Sequence, residues 1–163
     1  MNALRGPVDR VPWWVSVFNP VTRLLLAARV PLGGTDALIT IPGRRSGVPR
    51  TTPITVCEHA GRRGLISPFG EVNWVRNLRA AGRATITVRG RKEEVVATEL
   101  DPDGAARFIR DVLAPHARRV RGGEWIVRTL DGIDLDHPAE AARGRPVFEL
   151  RPAGASATPR SAR

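Results

Sequence analysis

The sequence predicts an α+β fold that is mainly β, a small antiparallel barrel with a few helices at its periphery. Three observations support this class. At least six short runs carry β-branched or apolar residues at alternate positions and are separated by glycine- and proline-containing turns. Segments with a helical pattern are few and short. The length of 163 residues suits one domain, which buries roughly 70% of the surface that its unfolded chain exposes.

Residues 1–30 are predicted to form an amphipathic helical segment at the N-terminus. Asn19 and Pro20 are a favourable N-cap and first-turn pair for a helix over residues 21–30. The apolar and tryptophan-rich stretch at 11–30 suits either contact with a membrane surface or packing against the domain. Because no signal peptide is recognisable and no apolar run reaches about 18 residues, we expect a cytoplasmic protein. The inner face of the cell membrane is where this segment would bind lipid.

Two predicted strands flank a loop that is rich in arginine and glycine. Ala37–Ile41 and Thr51–Val56 have β-branched residues at period two, so each is predicted to be a strand. The loop between them, residues 42–50, reads PGRRSGVPR. Because its glycines permit backbone conformations closed to other residues, three guanidinium groups and one hydroxyl are expected to lie close together.

The rest of the chain alternates predicted strands and short helices. We expect a turn at 59–64, a strand at 65–67 and then a helix that ends at the capping residue Gly82. A hairpin follows, with strands at 83–88 and 93–99 and a turn at 89–92. Asp101 and Pro102 open another helix, helical pieces are expected around 125–127 and 138–142, and the last strand covers 145–150. Residues 31–151 thus form the predicted barrel domain. Residues 152–163 lack a hydrophobic pattern and are predicted to be a disordered tail.

The arginine loop is typical of an anion-binding site. Arg44, Arg45 and Arg50 repel one another unless an anion lies between them, and guanidinium groups form bidentate hydrogen bonds with phosphate or carboxylate. The loop matches neither a Walker A motif nor G-x-G-x-x-G, which argues against a standard nucleotide loop. The alternative interpretation is a solvated surface turn of a basic protein.

Charge and composition restrict the partners. A formal net charge of +10 and a pI near 11.6 predict an anionic partner, which could be a phosphorylated small molecule, an acidic membrane or nucleic acid. We expect no nucleic acid, because aromatic side chains suited to base stacking are few. The single cysteine, Cys57, cannot form an intrachain disulfide and is expected to be buried. His59, His116 and His137 are dispersed, so no metal site is predicted.

Three motifs follow one another along the chain. They are Gly43-Arg44-Arg45-Ser46-Gly47-x-x-Arg50-x-x-Pro53, Ser67-x-x-Gly70 and Trp74-x-x-Asn77-Leu78. In order and spacing they resemble the deazaflavin-dependent nitroreductase family, over about residues 35–100 and the closing strand at 146–148. The resemblance implies a split antiparallel β-barrel, similar to flavin reductases and pyridoxamine-phosphate oxidases. It also implies the deazaflavin coenzyme F420 as cofactor, with FMN, FAD or haem as alternatives used by some relatives.

The resemblance further implies which residues bind the cofactor. They are Arg44, Arg45, Ser46, Gly47, Arg50, Pro53, Ser67, Phe69, Gly70, Trp74, Asn77 and Arg79. The arginine loop would hold the phosphate and the glutamyl tail, and Pro53 would lie beside the ring system. Ser67 and Gly70 would contact the ring or its polyol chain, and the helix with Trp74 would close the far side. No catalytic side chain is assigned, because the coenzyme would supply the electrons and the protein would position it.

The implied activity is transfer of a hydride from reduced F420 to a small conjugated acceptor such as a quinone or a nitroaromatic. Water or a hydroxyl such as that of Ser67 would supply the proton, and a homodimer is expected by resemblance. The chain has no tyrosine, whereas the acceptor pockets of nitroreductase members tend to be tyrosine-rich, so nitroreduction is not presumed. A flavin- or haem-binding split barrel and a basic nucleic-acid-binding module remain open as alternatives.

Overall fold

Seven β-strands form one antiparallel sheet in the computed structural model, which describes residues 37–129 and 131–154. The strands are β1 Ala37–Pro42, β2 Pro49–Ile54, β3 Cys57–His59, β4 Arg62–Ile66, β5 Arg83–Val88, β6 Arg91–Glu99 and β7 Val147–Pro152. Their order is β2-β1-β5-β6-β7-β4-β3, and each neighbouring pair is antiparallel. Within these residues the edge strands β2 and β3 do not pair, so the sheet stays open between them. The predicted class, α+β and mainly β with a split barrel, is confirmed.

Five α-helices accompany the sheet in the described residues. They are α1 Asn73–Ala81, α2 Pro102–Phe108, α3 Ala114–Arg119, α4 Gly123–Thr129 and α5 Pro138–Ala141. Two predicted helix boundaries are confirmed. The helix α1 stops at Gly82, whose φ of 65° is left-handed and whose N–H donates to the Leu78 carbonyl. The helix α2 starts after Asp101, whose carboxylate accepts a hydrogen bond of 2.6 Å from the Gly104 N–H.

A π-helical turn, Ile109–Leu113, joins α2 to α3. The hydrophobic pattern of the sequence did not predict this turn, although Pro115 explains it. Proline has no N–H to donate to the carbonyl four residues earlier, and its ring crowds that carbonyl in a regular helix. The chain widens instead, and the Ala114 N–H bonds to the carbonyl of Ile109.

Two hydrophobic cores lie on different parts of the sheet. The first joins α1 to the strands, mainly through aliphatic side chains: Ala37, Ile39, Ile41, Ile54, Val56, Leu65, Val75, Leu78, Ala84, Ile86, Val95, Ala97, Phe148 and Leu150. The second joins the remaining helices to β3 and β7: Cys57, Ala105, Phe108, Ile109, Val112, Leu113, Ala114, Ala117, Val127, Ile133, Leu135, Ala141 and Val147. The predicted burial of Cys57 is confirmed. The first core fixes α1 against β1, and this contact forms the walls of the candidate site.

Several strand limits differ from the prediction. The turn placed at 59–64 is only Ala60 and Gly61, because β3 and β4 pair closely around it. The β5–β6 turn is likewise the two residues Arg89 and Gly90, with φ of 48° and 80°, which is the hairpin turn that suits twisted strands. The last strand extends to Pro152, which pairs with Val95, and so reaches into the range predicted as tail.

The predicted amphipathic segment at 1–30, with its membrane contact over 11–30, lies outside the described residues, as does the predicted tail from residue 155 onward. In the part of the chain that the structure describes, no helix combines the length and the apolarity needed to span a bilayer.

Candidate functional site

A cleft of about 520 Å³ opens between the β1–β2 loop, the edge strand β2 and α1. Its volume is within the usual range of small-molecule sites. It is lined by Ile41, Gly43, Arg44, Arg45, Ser46, Pro49, Arg50, Thr51, Thr52, Asn73, Trp74 and Asn77. The arginine loop and the Trp74–Asn77 motif, predicted separately from the sequence, are therefore two walls of one cleft.

The β1–β2 loop is closed by its own backbone. The Gly43 N–H donates to the Val48 carbonyl at 2.9 Å, and the Gly47 N–H donates to the Gly43 carbonyl at 2.8 Å. Gly47 has a φ of 68°, a conformation that favours glycine. The Ser46 hydroxyl oxygen accepts a hydrogen bond of 3.3 Å from the Val48 N–H. These bonds give the loop one compact shape, from which the arginine side chains extend.

Asn77 connects α1 to the arginine loop. Its amide oxygen accepts one hydrogen bond from the Arg44 backbone N–H at 3.3 Å and another from the Arg44 Nη1 at 2.9 Å. Asn77 is only 7% exposed, so water competes little for these bonds. Because Arg44 offers only donors here, the amide oxygen of Asn77 must face it. The Asn77 NH₂ group then points away from Arg44, and it has no hydrogen-bond partner among the residues that the structure describes.

Arg45 and Arg50 give the cleft its positive charge. Within the described residues, neither forms an ion pair with a carboxylate, and no acidic side chain lines the cleft. Other arginines of this basic chain are paired, for example Arg62 with Glu149 at 2.9 Å. Unpaired guanidiniums beside a concave surface form a site suited to phosphate or carboxylate.

Trp74 gives the cleft an apolar wall. Its ring packs against Phe148 of the first core, with ring centroids 6.2 Å apart and tilted by 52°. The ring is thus held from behind while it lines the cleft. Thr51 also lines the cleft, and its hydroxyl shares a hydrogen bond of 2.9 Å with the hydroxyl of Thr40 on β1. A flat apolar surface and polar groups therefore lie near the cationic end.

Six of the predicted site residues meet in this cleft: Arg44, Arg45, Ser46, Arg50, Trp74 and Asn77. The other six lie outside its lining: Gly47, Pro53, Ser67, Phe69, Gly70 and Arg79. Three polar lining residues were not among the predicted site residues: Asn73, Thr51 and Thr52. The sequence could have indicated them through their position beside the motifs, since Asn73 precedes Trp74 and the two threonines follow Arg50 along the edge strand β2.

Ser67 and Arg79 have other partners in the structure. Ser67 is 1% exposed, and its hydroxyl donates a hydrogen bond of 2.7 Å to the Gly70 carbonyl. Arg79 is held by Glu71 at 2.8 Å and by Glu99 at 2.6 Å. Hydrogen bonds from Arg79 to these carboxylates raise its pKa above the ordinary value. The predicted cofactor contacts of both residues stay predictions.

Among the residues that the structure describes, no group of three or more histidine, cysteine, aspartate or glutamate side chains is placed to hold a metal ion.

Comparisons with known proteins give one match to a family model. The model of the F420H(2)-dependent quinone reductase family matches residues 26–129, a range that contains the whole cleft. A comparison with curated proteins gives no significant match.

Solved structures similar to this chain include two reductases and a haem-binding protein. An F420-H2-dependent reductase is 17% identical, with coverage of 74% of this chain and 96% of its own, at a TM-score of 0.45. An F420 reductase is 16% identical; the match covers 73% of this chain and 86% of the reductase, with a TM-score of 0.45. A haem-binding protein from Mycobacterium smegmatis is 18% identical; the match covers 78% of this chain and 48% of the haem-binding protein, with a TM-score of 0.44.

Proposed function

The chain belongs to the F420H(2)-dependent quinone reductase family, and on this premise we propose that the cleft beside α1 binds reduced F420 and directs its hydride to a quinone. Membership confirms the coenzyme and the reductase activity that the sequence motifs implied. The quinone, the binding residues and their roles are the proposed part. A nitroaromatic is the less favoured acceptor, because the family is that of quinone reductases and the chain has no tyrosine.

The observation that carries the proposal is that Arg45 and Arg50 both line the cleft and that neither forms an ion pair with another described residue. F420 has a phosphodiester and several carboxylates in its tail, and charge-assisted hydrogen bonds to such groups contribute about 1.5–3 kcal/mol each. The donor set of this cleft therefore fits an extended anion. The apolar wall at Trp74 fits a flat ring.

The protein contributes binding and orientation. When bound, the reduced deazaflavin supplies the hydride, and an acceptor must lie against its ring. Arg45 and Arg50 would hold the anionic tail at the loop. Trp74 would exclude water from one side of the ring, and the free NH₂ group of Asn77 would donate to an acceptor atom of the ligand. Catalysis of this type comes mainly from holding the two reactants in a productive orientation.

Three further expectations belong to this proposal. The reductase would act as a homodimer, as the resemblance implies, and would be cytoplasmic. Its residues 11–30 would contact the membrane, where lipid-soluble quinones are found. Sedimentation of the purified protein measures whether it is a dimer. Fractionation of cells that express the full chain, or the chain without residues 1–30, measures its location and its membrane contact.

A titration with oxidised F420, followed by fluorescence, tests the cofactor site. Arg45→Gln and Arg50→Gln should each weaken binding by roughly ten- to a hundredfold, because each removes charge-assisted hydrogen bonds. Arg91→Gln is the matched control, since Arg91 is exposed at the β5–β6 hairpin and outside the cleft. Equal affinities in all four proteins would refute the assignment of the site.

The acceptor requires a separate measurement. Protein loaded with reduced F420 is mixed with a benzoquinone, a naphthoquinone or a nitroimidazole, and oxidation of the coenzyme is followed in a single turnover. Faster oxidation by the quinones supports the proposal. Faster oxidation by the nitroimidazole would leave the coenzyme site intact but reject the quinone as acceptor.

A further inference from the structure

The corner between α3 and α4 exposes large apolar side chains. Trp125, in the first turns of α4, is 62% exposed, and Val120, at the tip of the corner, is 37% exposed. We call residues 118–125 the α3–α4 corner. These residues lie outside the lining of the cleft, so the role of the corner is separate from the proposed coenzyme site.

The corner has a defined shape. The Val120 N–H donates to the Ala117 carbonyl at 3.3 Å, and the Gly123 N–H donates to the Val120 carbonyl at 2.8 Å. Gly123 lies so close to the Ala117 carbonyl that a Cβ would collide with it. Ala117 and Val127 are both buried in the second core. Trp125 is therefore held outward by packed helices on both sides of the turn.

Positive charge surrounds the exposed apolar groups. Arg118 is paired with Glu124 at 3.0 Å. Arg119 and Arg121 are exposed, and neither forms an ion pair with another described residue. Within seven consecutive residues, 119–125, the corner thus exposes an indole, a valine and two guanidiniums that no described carboxylate pairs.

We propose that the α3–α4 corner docks on an anionic lipid bilayer. Such a surface presents phosphate groups to Arg119 and Arg121 and, just below them, acyl chains to Trp125 and Val120. Tryptophan favours this boundary because its ring is apolar and its N–H is polar. A second copy of the corner would bring like charges together. Nucleic acid would satisfy the arginines but would leave Val120 without an apolar partner.

Co-sedimentation of the full chain with vesicles tests the proposal. Vesicles of phosphatidylcholine with 30% phosphatidylglycerol are compared with vesicles of phosphatidylcholine alone, about 0.1 M salt being present in both. Arg119→Gln/Arg121→Gln should weaken binding to the anionic vesicles by roughly tenfold or more, since each basic residue near such a surface contributes about fivefold. Trp125→Ser should weaken binding to a similar extent. Arg91→Gln/Lys92→Gln removes the same charge from the exposed β5–β6 hairpin and should bind nearly as the parent does.

Insertion of Trp125 is measured separately. Brominated phosphatidylcholine should quench the fluorescence of the parent more than that of Trp125→Phe, the difference being the contribution of this one indole. Circular dichroism of each variant shows whether it is folded. If folded Trp125→Ser and the double arginine variant bind anionic vesicles as tightly as the parent, the proposal is wrong, even when the chain binds lipid through another segment.

Other occupants give different results, and each would overturn the proposal. If residues 1–36 cover the corner, Trp125 is protected from acrylamide in the absence of lipid. If a second copy covers it, Trp125→Ser lowers the mass measured by sedimentation equilibrium. If the partner is nucleic acid, the double arginine variant loses affinity for a DNA duplex but keeps its affinity for anionic vesicles.

Discussion

Asn77 of α1 holds Arg44 of the β1–β2 loop through two hydrogen bonds to one amide oxygen, at 3.3 Å from the backbone N–H and at 2.9 Å from Nη1. Arg44 therefore uses part of its donor set within the protein. The bonds join the two walls of the cleft, since the loop carries Arg45 and the helix carries Trp74. We infer that Arg44 acts as a positioning residue for the anion-binding loop, whereas Arg45 and Arg50 provide the charge for the ligand.

Asn77→Leu and Asn77→Asp separate the two roles of this amide. Asn77→Leu removes the acceptor and leaves the Arg44 N–H unsatisfied, so the free energy of unfolding should fall by about 1–3 kcal/mol and the affinity for F420 should also fall. Asn77→Asp keeps an oxygen for Arg44 but replaces the NH₂ donor by a negative charge in the cleft. It should stay close to the parent in stability and still lose affinity. Urea unfolding and the F420 titration measure the two quantities.

Asn73→Leu is the control for these variants. Asn73 is exposed one turn earlier on α1 and lines the same cleft, but no hydrogen bond joins it to the loop. The stability of the Asn73→Leu variant should remain near that of the parent. If Asn77→Leu proves as stable as Asn73→Leu, the bonds to Arg44 contribute nothing measurable to the fold.

Ser67→Ala decides whether this hydroxyl is a proton source. The hydroxyl is buried, and its hydrogen already bonds to the Gly70 carbonyl at 2.7 Å. We expect a loss of about 1 kcal/mol in stability from the lost hydrogen bond, because the Gly70 carbonyl still accepts a hydrogen bond of 2.9 Å from the Val72 N–H. Turnover of reduced F420 and its solvent deuterium isotope effect should remain close to those of the parent. A large loss of turnover in a protein of unchanged stability would instead restore the role that the motif suggested.

Arg79→Gln tests the other predicted contact that lies outside the cleft. Arg79 links the end of α1 to Glu99 of β6 and to Glu71 before the helix. Exposed ion pairs contribute little, so we expect a loss below about 1 kcal/mol in urea unfolding. The F420 affinity should not change. Weakened binding beyond the effect of Arg91→Gln would show that Arg79 contacts the coenzyme after all.

The sequence predicted best those features that depend on local chemistry. Gly82 and Asp101 marked helix ends because each satisfies backbone groups of its own helix. The strand β4 was placed too late along the chain because Arg62 and Arg63 look like a turn. In the fold their charges are paired with carboxylates on β7 and β6, Glu149 at 2.9 Å and Glu93 at 2.9 Å. Such pairing is between distant segments and leaves no local signal.

The same distinction applies to the candidate site. The arginine loop was recognisable because three like charges within nine residues repel one another unless an anion binds between them. The bond between Arg44 and Asn77 was not, because these residues are 33 positions apart and meet only after α1 packs on β1. The partner of the Ser67 hydroxyl is close in sequence, since it donates to the Gly70 carbonyl, but the motif itself did not indicate this bond.

Gly64→Ala should destabilise the fold strongly. Gly64 lies in β4, where a Cβ would collide with the Phe148 carbonyl and approach the Phe108 ring to 2.6 Å. Both neighbours are buried, so the strand and the helix must shift, at a cost of about 1–3 kcal/mol or more. Gly154→Ala is the control, since nothing lies within 4 Å of its Cβ position. Thermal unfolding of the two variants should differ by several degrees, and equal values would mean that the second core yields easily.

Asp131→Asn should change how stability depends on pH. Burial raises the pKa of the Asp131 carboxyl to about 6, although the charge of Arg145 opposes this shift. In the unfolded chain the carboxyl ionises near pH 4, so between about pH 4 and pH 6 the folded state binds more protons. The contribution of Asp131 to the unfolding free energy therefore falls as the pH rises through this window and stays low above it.

Asparagine carries no charge, so Asp131→Asn should be more stable than the parent by about 1–2 kcal/mol at pH 7–8. Urea unfolding from pH 4 to pH 8 should show this advantage disappear at pH 4. Glu140→Gln, at an exposed carboxylate of α5, should show no such trend, and an equal trend in both variants would contradict the assignment to Asp131.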